Sequence, residues 1–129
     1  MCGIVGSFGK LDFVRFKKSL DSIKHRGPDN EGIYLYDVKE KHEIVKSDIL
    51  MDSRYVALGH RRLSIIDLAD VANQPMTLDN YSLIFNGEIY NYKEIRRELI
   101  GCGYSFETKS DTEVLLKSYI HWGEDCVDK

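Results

Sequence analysis

The chain has only three cysteines, Cys2, Cys102 and Cys126, and their odd number and wide spacing argue against both a disulfide framework and a structural zinc site. It has two prolines, no low-complexity tract, no internal repeat and no visible linker, so its 129 residues form one domain at most. No apolar run approaches the roughly 18–20 residues of a membrane span, and the opening residues lack the charged segment that begins a signal peptide. Nor is there a block of Lys and Arg: 18 basic and 21 acidic residues leave a formal net charge of −3, which argues against a nucleic-acid partner. Together these absences imply a cytoplasmic location, no membrane, no nucleic acid and no bound metal.

What is present is the composition of a globular chain, 43% hydrophobic and 30% charged. "GIVGSF" reads as a buried first strand. "LDFVRFKKSLDSIKH" places Phe13, Phe16, Leu20 and Ile23 at helical spacing, with Asp12 as N-cap, and the helix must stop at "RGPDNEG" because Pro28 disfavours helix at Gly27. "GIYLYDV" and "HEIVK" read as two strands around a charged turn, "YVALGH" as a third and "YSLIFNG" as another. "NYKEIRRELIGCG" predicts a helix, "YSFET" a short strand, and "SDTEVLLKSYIHWG" a second helix with Ser110 and Glu113 in capping-box register. Strands and helices in mixed order give an α+β architecture.

Chemistry starts at Cys2. A thiol attacks as thiolate, and a free pKa of about 8.5 leaves little of it ionised at neutrality. If Met1 is removed, an α-amine of pKa about 7.7–8.0 stands beside the sulfur, a base suited to activating it. The ordinary alternative is a small core residue on the first strand. Cys102 and Cys126 have no such helper and read as structural thiols.

Four polar clusters accompany it. "FNGEIYN" offers the Asn86 amide, the Gly87 N–H and the Glu88 carboxylate, a composition suited to an oxyanion hole. "GHRRLS" brings Arg61 and Arg62 after a strand, suited to a carboxylate. "SDTE" places Asp111 and Glu113 at a helix start, and "HRGPD" puts His25, Arg26 and Asp29 on a rigid turn, His25 being the weakest catalytic candidate. Each alone has a structural reading: an Asn-Gly turn, solvated arginines, acids complementing a helix dipole. Taken together they are what a thiol amidase acting on an amino-acid amide requires.

The ordered set "MCGIVGSFG", "HRGPDNEG", "GHRRLSIIDL", "NQPM", "FNGEIYN" and "SDTEVLL" resembles the class II glutamine amidotransferase domain of glutamine-dependent asparagine synthetases, across essentially the whole chain. The resemblance implies an N-terminal-nucleophile hydrolase fold, a four-layer αββα sandwich. By position it makes Cys2 the nucleophile that attacks the glutamine side-chain amide, with Asn86 and Gly87 holding the oxyanion. It assigns Arg62 to the α-carboxylate, Glu88 and Asp111 to the α-ammonium, and the backbone of Leu63, Ser64, Ile65 and Ile66 to the pocket lining. Arg61 is expected to be the more tolerant arginine.

Family members continue with further strands and a synthetase domain that uses ATP and Mg, so residues 1–129 are expected to be a partial glutaminase domain whose sandwich is incomplete at the C-terminal end. No cofactor is expected in this chain. Its expected partners are glutamine and a synthetase domain in cis or in trans, and assembly into a homo-oligomer stays open. With Met1 in place the thiol lacks its amine and the chain is expected to be inert. An acceptor other than the one asparagine synthetases use, or a non-catalytic module that docks on a partner, are the alternatives. "YSLIF" is the segment expected to be left exposed.

Overall fold

The computed structural model describes residues 2–50, 52–64 and 70–129. It is a mixed helix and sheet structure. One four-stranded antiparallel sheet has the order β1-β4-β2-β3, built from β1 (Gly3–Gly9), β2 (Asn30–Asp37), β3 (His42–Glu43) and β4 (Tyr55–Arg62). A hairpin of β5 (Met76–Leu78) and β6 (Tyr81–Leu83) forms a second, two-stranded sheet. Among the described residues there are three α-helices, α1 (Phe13–Ser22), α2 (Tyr92–Gly101) and α3 (Asp111–Trp122), besides short 3-10 turns.

The pleat sorts β4 into two faces. Tyr55, Ala57, Gly59 and Arg61 point to one side, where α1 lays Phe16 and Leu20 against them. There Phe16, Leu35, Ile44, Tyr55 and Ala57 form a buried apolar cluster. Asp12 caps α1 by accepting the Arg15 N–H at 3.1 Å. The other face carries Val56, Leu58, His60 and Arg62, opposite Phe8, Gly6 and Ile4 of β1 and opposite Tyr36, Tyr34, Gly32 and Asn30 of β2. Cys2 continues the parity of Ile4 and so emerges on this second face.

At the His60 end of that face, Gln74 packs so closely on β2 that a Cβ at Gly32 would lie 1.8 Å from the Gln74 carbonyl oxygen. The hairpin that follows meets α3, and α3 packs on α2 through Ile95, Leu99 and Val114.

Several elements differ from expectation. β4 runs on through Arg61 and Arg62, which the sequence reading puts after the end of the strand. "HEIVK" keeps only a two-residue strand, because the Lys46–Asp48 turn follows at once. β6 ends at Leu83 rather than running to Asn86: the Phe85 N–H, which a continued ladder would pair with a strand carbonyl, is taken by the Gln74 side-chain oxygen at 2.6 Å. "YSFET" is not a strand. Its backbone is satisfied by side chains instead, the Glu107 and Thr108 N–H groups by Glu113, the Ser105 carbonyl by Lys117 and the Thr108 carbonyl by Arg96. Among the described residues no helix is long and apolar enough to cross a membrane.

Candidate functional site

Where Cys2 leaves β1, the end of β4, the segment after β6 and the start of α3 converge around a cavity of about 410 Å³. Cys2, Arg62, Leu63, Asn86, Gly87, Glu88 and Asp111 all line it. Ser64 does not, and Ile65 and Ile66 lie outside the described residues. Cys102 is exposed and Cys126 half-buried; neither lines this cavity.

The Cys2 sulfur receives the Leu63 N–H at 3.4 Å and lies 3.8 Å from the Leu63 carbonyl oxygen. Its own carbonyl accepts the Arg26 Nε–H at 3.0 Å. The "HRGPD" turn is thus a support for the nucleophile segment. Gly27 lets the turn approach β4, since a Cβ there would meet the Arg61 carbonyl at 2.4 Å. Asp29 then clamps the strand exit, donating its N–H to the Arg62 carbonyl (3.1 Å) and accepting the Ser64 N–H (2.8 Å). His25 stays outside, its ring against the Ser22 carbonyl.

Arg62 is buried at 7% exposure and donates to the Asn73 side-chain oxygen at 2.5 Å. Arg61, expected to be the tolerant neighbour, is instead equally buried on the opposite face. Its guanidinium pairs with Asp21 and Glu31, and its Nε donates to the Leu20 carbonyl at 3.2 Å. The distinction follows from the strand: neighbours in a pleat face opposite ways.

Asn86, Gly87 and Glu88 are exposed along the rim. The absence of a side chain at Gly87 is required, because a Cβ would fall 2.6 Å from the Phe85 ring. Asp111 is buried at the first position of α3, where the helix dipole favours a carboxylate, and it accepts the Ile89 N–H at 3.1 Å. Ser110 caps α3 through the Thr112 N–H. Glu113 does not complete the box: it reaches past the cap to Glu107 and Thr108 and pairs with Lys117 at 2.6 Å.

Two residues at the site escaped sequence reasoning. Gln74 lines the cavity, with its side chain bonded to the Phe85 N–H (2.6 Å) and the Thr112 hydroxyl (3.1 Å). His60, fully buried, meets the Phe85 carbonyl through Nε2 at 3.3 Å. Since a carbonyl only accepts, Nε2 carries the proton, and Nδ1 has no partner among the described residues. Burial pushes its pKa down to about 4, with the Arg62 charge acting in the same direction, so the ring is neutral near pH 7. The only sequence signal was position: His60 two residues before Arg62 on one face, Gln74 in the small-residue loop.

One cavity therefore holds a thiol, a guanidinium, two carboxylates and a rim of amide donors. That set can seat a zwitterionic molecule bearing an acyl group. A family profile described as a glutamine amidotransferase domain matches residues 1–129. The asparagine synthetase [glutamine-hydrolyzing] 1 of Bacillus subtilis is 41% identical over 138 residues, covering 100% of this chain and 19% of that protein. Asparagine synthetase [glutamine-hydrolyzing] 3 of the same organism is 38% identical over 99% of this chain and 19% of its own length. Asparagine synthetase B [glutamine-hydrolyzing] of Escherichia coli is 37% identical over 99% and 21%. The chain spans about a fifth of the length of these curated relatives.

Proposed function

The chain belongs to the glutamine amidotransferase domain family, and from that premise we propose that it hydrolyses the side-chain amide of glutamine to glutamate and ammonia, with Cys2 as nucleophile. The observation that carries this reading is the convergence of Cys2, Arg62, Asn86, Gly87 and Asp111 on one cavity from four separate stretches of chain. After removal of Met1, the Cys2 α-amine takes the thiol proton and the sulfur attacks the amide carbon. The Asn86 amide and the Gly87 N–H hold the resulting oxyanion. The amine returns the proton to the departing nitrogen, ammonia leaves, and a γ-glutamyl thioester remains on the sulfur. Water adds to the thioester carbon through a second oxyanion, the C–S bond breaks, and glutamate and the thiol are regenerated.

Recognition divides along the cavity. Arg62 pairs with the α-carboxylate, Glu88 and Asp111 with the α-ammonium, and Leu63 lines the wall. Arg62 and Asp111 are both buried, which strengthens their pull on a charged ligand. The four-layer αββα sandwich is the architecture this reading implies; consistent with it, α1 lies against the large sheet, while α3 packs on α2 and meets the hairpin. Because the relatives are named as asparagine synthetases, the ammonia is proposed to pass to a synthetase domain in cis or in trans.

The test uses the protein with Cys2 at its amino terminus. It should release glutamate and ammonia from glutamine in equal amounts, and diazo-oxo-norleucine should modify Cys2 and neither of the other cysteines. Cys2→Ala should abolish hydrolysis. Turnover above background in that variant would refute the assignment.

A further inference from the structure

The β5-β6 hairpin stops where the oxyanion segment begins. Its register pairs Met76 with Leu83, so the next positions in line are Pro75 against Ile84 and Gln74 against Phe85. The strand β6 ends at Leu83, before either pair. The side chain of Gln74 takes over: its Oε1 accepts the Phe85 N–H at 2.6 Å, where a strand partner's carbonyl would otherwise stand. Its Nε2 donates to the Thr112 hydroxyl at 3.1 Å, one residue beyond Asp111 in the first turn of α3.

We infer that Gln74 is a positioning residue for glutamine hydrolysis, joining the segment that carries Asn86 and Gly87 to the turn of α3 that carries Asp111; the inference rests on the glutaminase reading of the cavity. Both polar ends of its side chain are consumed within the protein, so Gln74 acts through Phe85 and Thr112 and not on the substrate. Gln74 and Thr112 are 7% and 3% exposed, so water does not compete for these bonds. The backbone of Gln74 is itself fixed, its carbonyl lying on Gly32 with no room for a side chain between them.

The segment is thereby tied at both ends to one helix. Phe85 is tied through Gln74 and Thr112, and Ile89 through Asp111. His60 holds the Phe85 carbonyl from the large sheet, so both backbone polar groups of the residue before Asn86 are engaged. An oxyanion hole acts only if its donors are already in place when charge develops. Without Gln74 the Phe85 end is released while Arg62 and Asp111 still grip the substrate, so the chemical step should suffer more than binding.

Gln74→Met keeps an unbranched side chain of similar length and removes both bonds. In the processed protein its kcat for glutamine should fall about tenfold or more, with KM within about threefold of wild type. Thr112→Val should shift kcat in the same direction by less, and Thr112→Ser should recover most of that loss. Amide exchange gives a second readout that needs no turnover: the Phe85 amide, whose N–H Gln74 accepts, should exchange at least about tenfold faster in Gln74→Met, while those of Val114 to Ser118 keep their wild-type rates. Wild-type kcat in both Gln74→Met and Thr112→Val, or unaltered exchange at Phe85, overturns the inference. If wild type itself does not hydrolyse glutamine, the functional reading fails, and exchange alone then decides whether Gln74 holds this segment.

Discussion

Arg61 and Arg62 carry the same side chain and sit next to each other, yet the pleat of β4 gives them unrelated tasks. Arg61 points to α1 and bonds Asp21, Glu31 and the Leu20 carbonyl, joining helix to sheet. Arg62 points into the cavity. If Arg62 clamps the α-carboxylate, Arg62→Ala should raise KM for glutamine roughly ten- to a hundredfold, because a charge-assisted pair of this kind is worth about 1.5–3 kcal/mol. Arg61→Ala should leave KM unchanged and lower the urea midpoint, at a cost of about 2 kcal/mol for bonds to charged groups. Steady-state kinetics and a denaturant melt on both variants separate the two roles, and a KM for Arg62→Ala within about twofold of wild type would place Arg62 outside recognition. The sequence motifs alone make Cys2, Arg62, Asn86, Gly87 and Asp111 legible as candidates. The opposite facing of the two arginines is not legible there, because residues read as lying beyond the end of a strand carry no alternation. Gln74 and His60 are hidden for a related reason: their partners lie 11, 38 and 25 residues away, and only the register of two sheets brings them together.

At the scale of elements, α3 is held by an arrangement its own sequence only half reveals. Ser110 caps it, as the spacing requires, but Glu113 serves the preceding loop, accepting the Glu107 and Thr108 N–H groups and the Thr108 hydroxyl while pairing with Lys117. Burial by itself would raise the Glu113 pKa, yet Lys117 and those donors together hold it below the usual carboxylate range. Charged Glu113 is therefore the form the fold favours. Its contribution is fully present above the ordinary carboxylate pKa and is lost as pH falls through the depressed folded value. "YSFET" reads as a strand because aromatic and β-branched residues alternate there; tertiary side chains prevail over a ladder that has no partner strand. Glu113→Ala strands Lys117, which is 7% exposed, and orphans two N–H groups, so the loss should be about 3 kcal/mol. A urea melt at neutral pH measures it. The gap between variant and wild type should shrink on the acid side, and a gap that is constant down to acid pH would mean that Glu113 acts only through its volume.

For the whole molecule, the described residues cover the face of the large sheet that leads to the cavity near His60 and Gly32. Further along, Ile4 is 46% and Phe8 72% exposed, with Leu58, Val56, Tyr34 and Tyr36 half-buried beside them. β1, which carries Ile4 and Phe8, is also the edge of the sheet. "YSLIF", the segment expected to be exposed, is less so: only Tyr81 is open, at 43%, and its ring meets Tyr119 at 5.5 Å, while residues 82–85 are half-buried. An apolar face that ends at an unpaired strand edge combines two drives to association, burial of area and continuation of the ladder. The 129-residue chain should therefore self-associate with rising concentration and bind a hydrophobic dye. Phe8→Lys places a charge on that edge at a position where little packing is lost, so it should weaken association and dye binding together while leaving the unfolding midpoint close to wild type. Sedimentation velocity over a concentration series, run beside dye fluorescence, measures both. Unchanged association in Phe8→Lys would move the sticky surface away from β1, and a monomer at all concentrations in the wild type would mean that the face tolerates water.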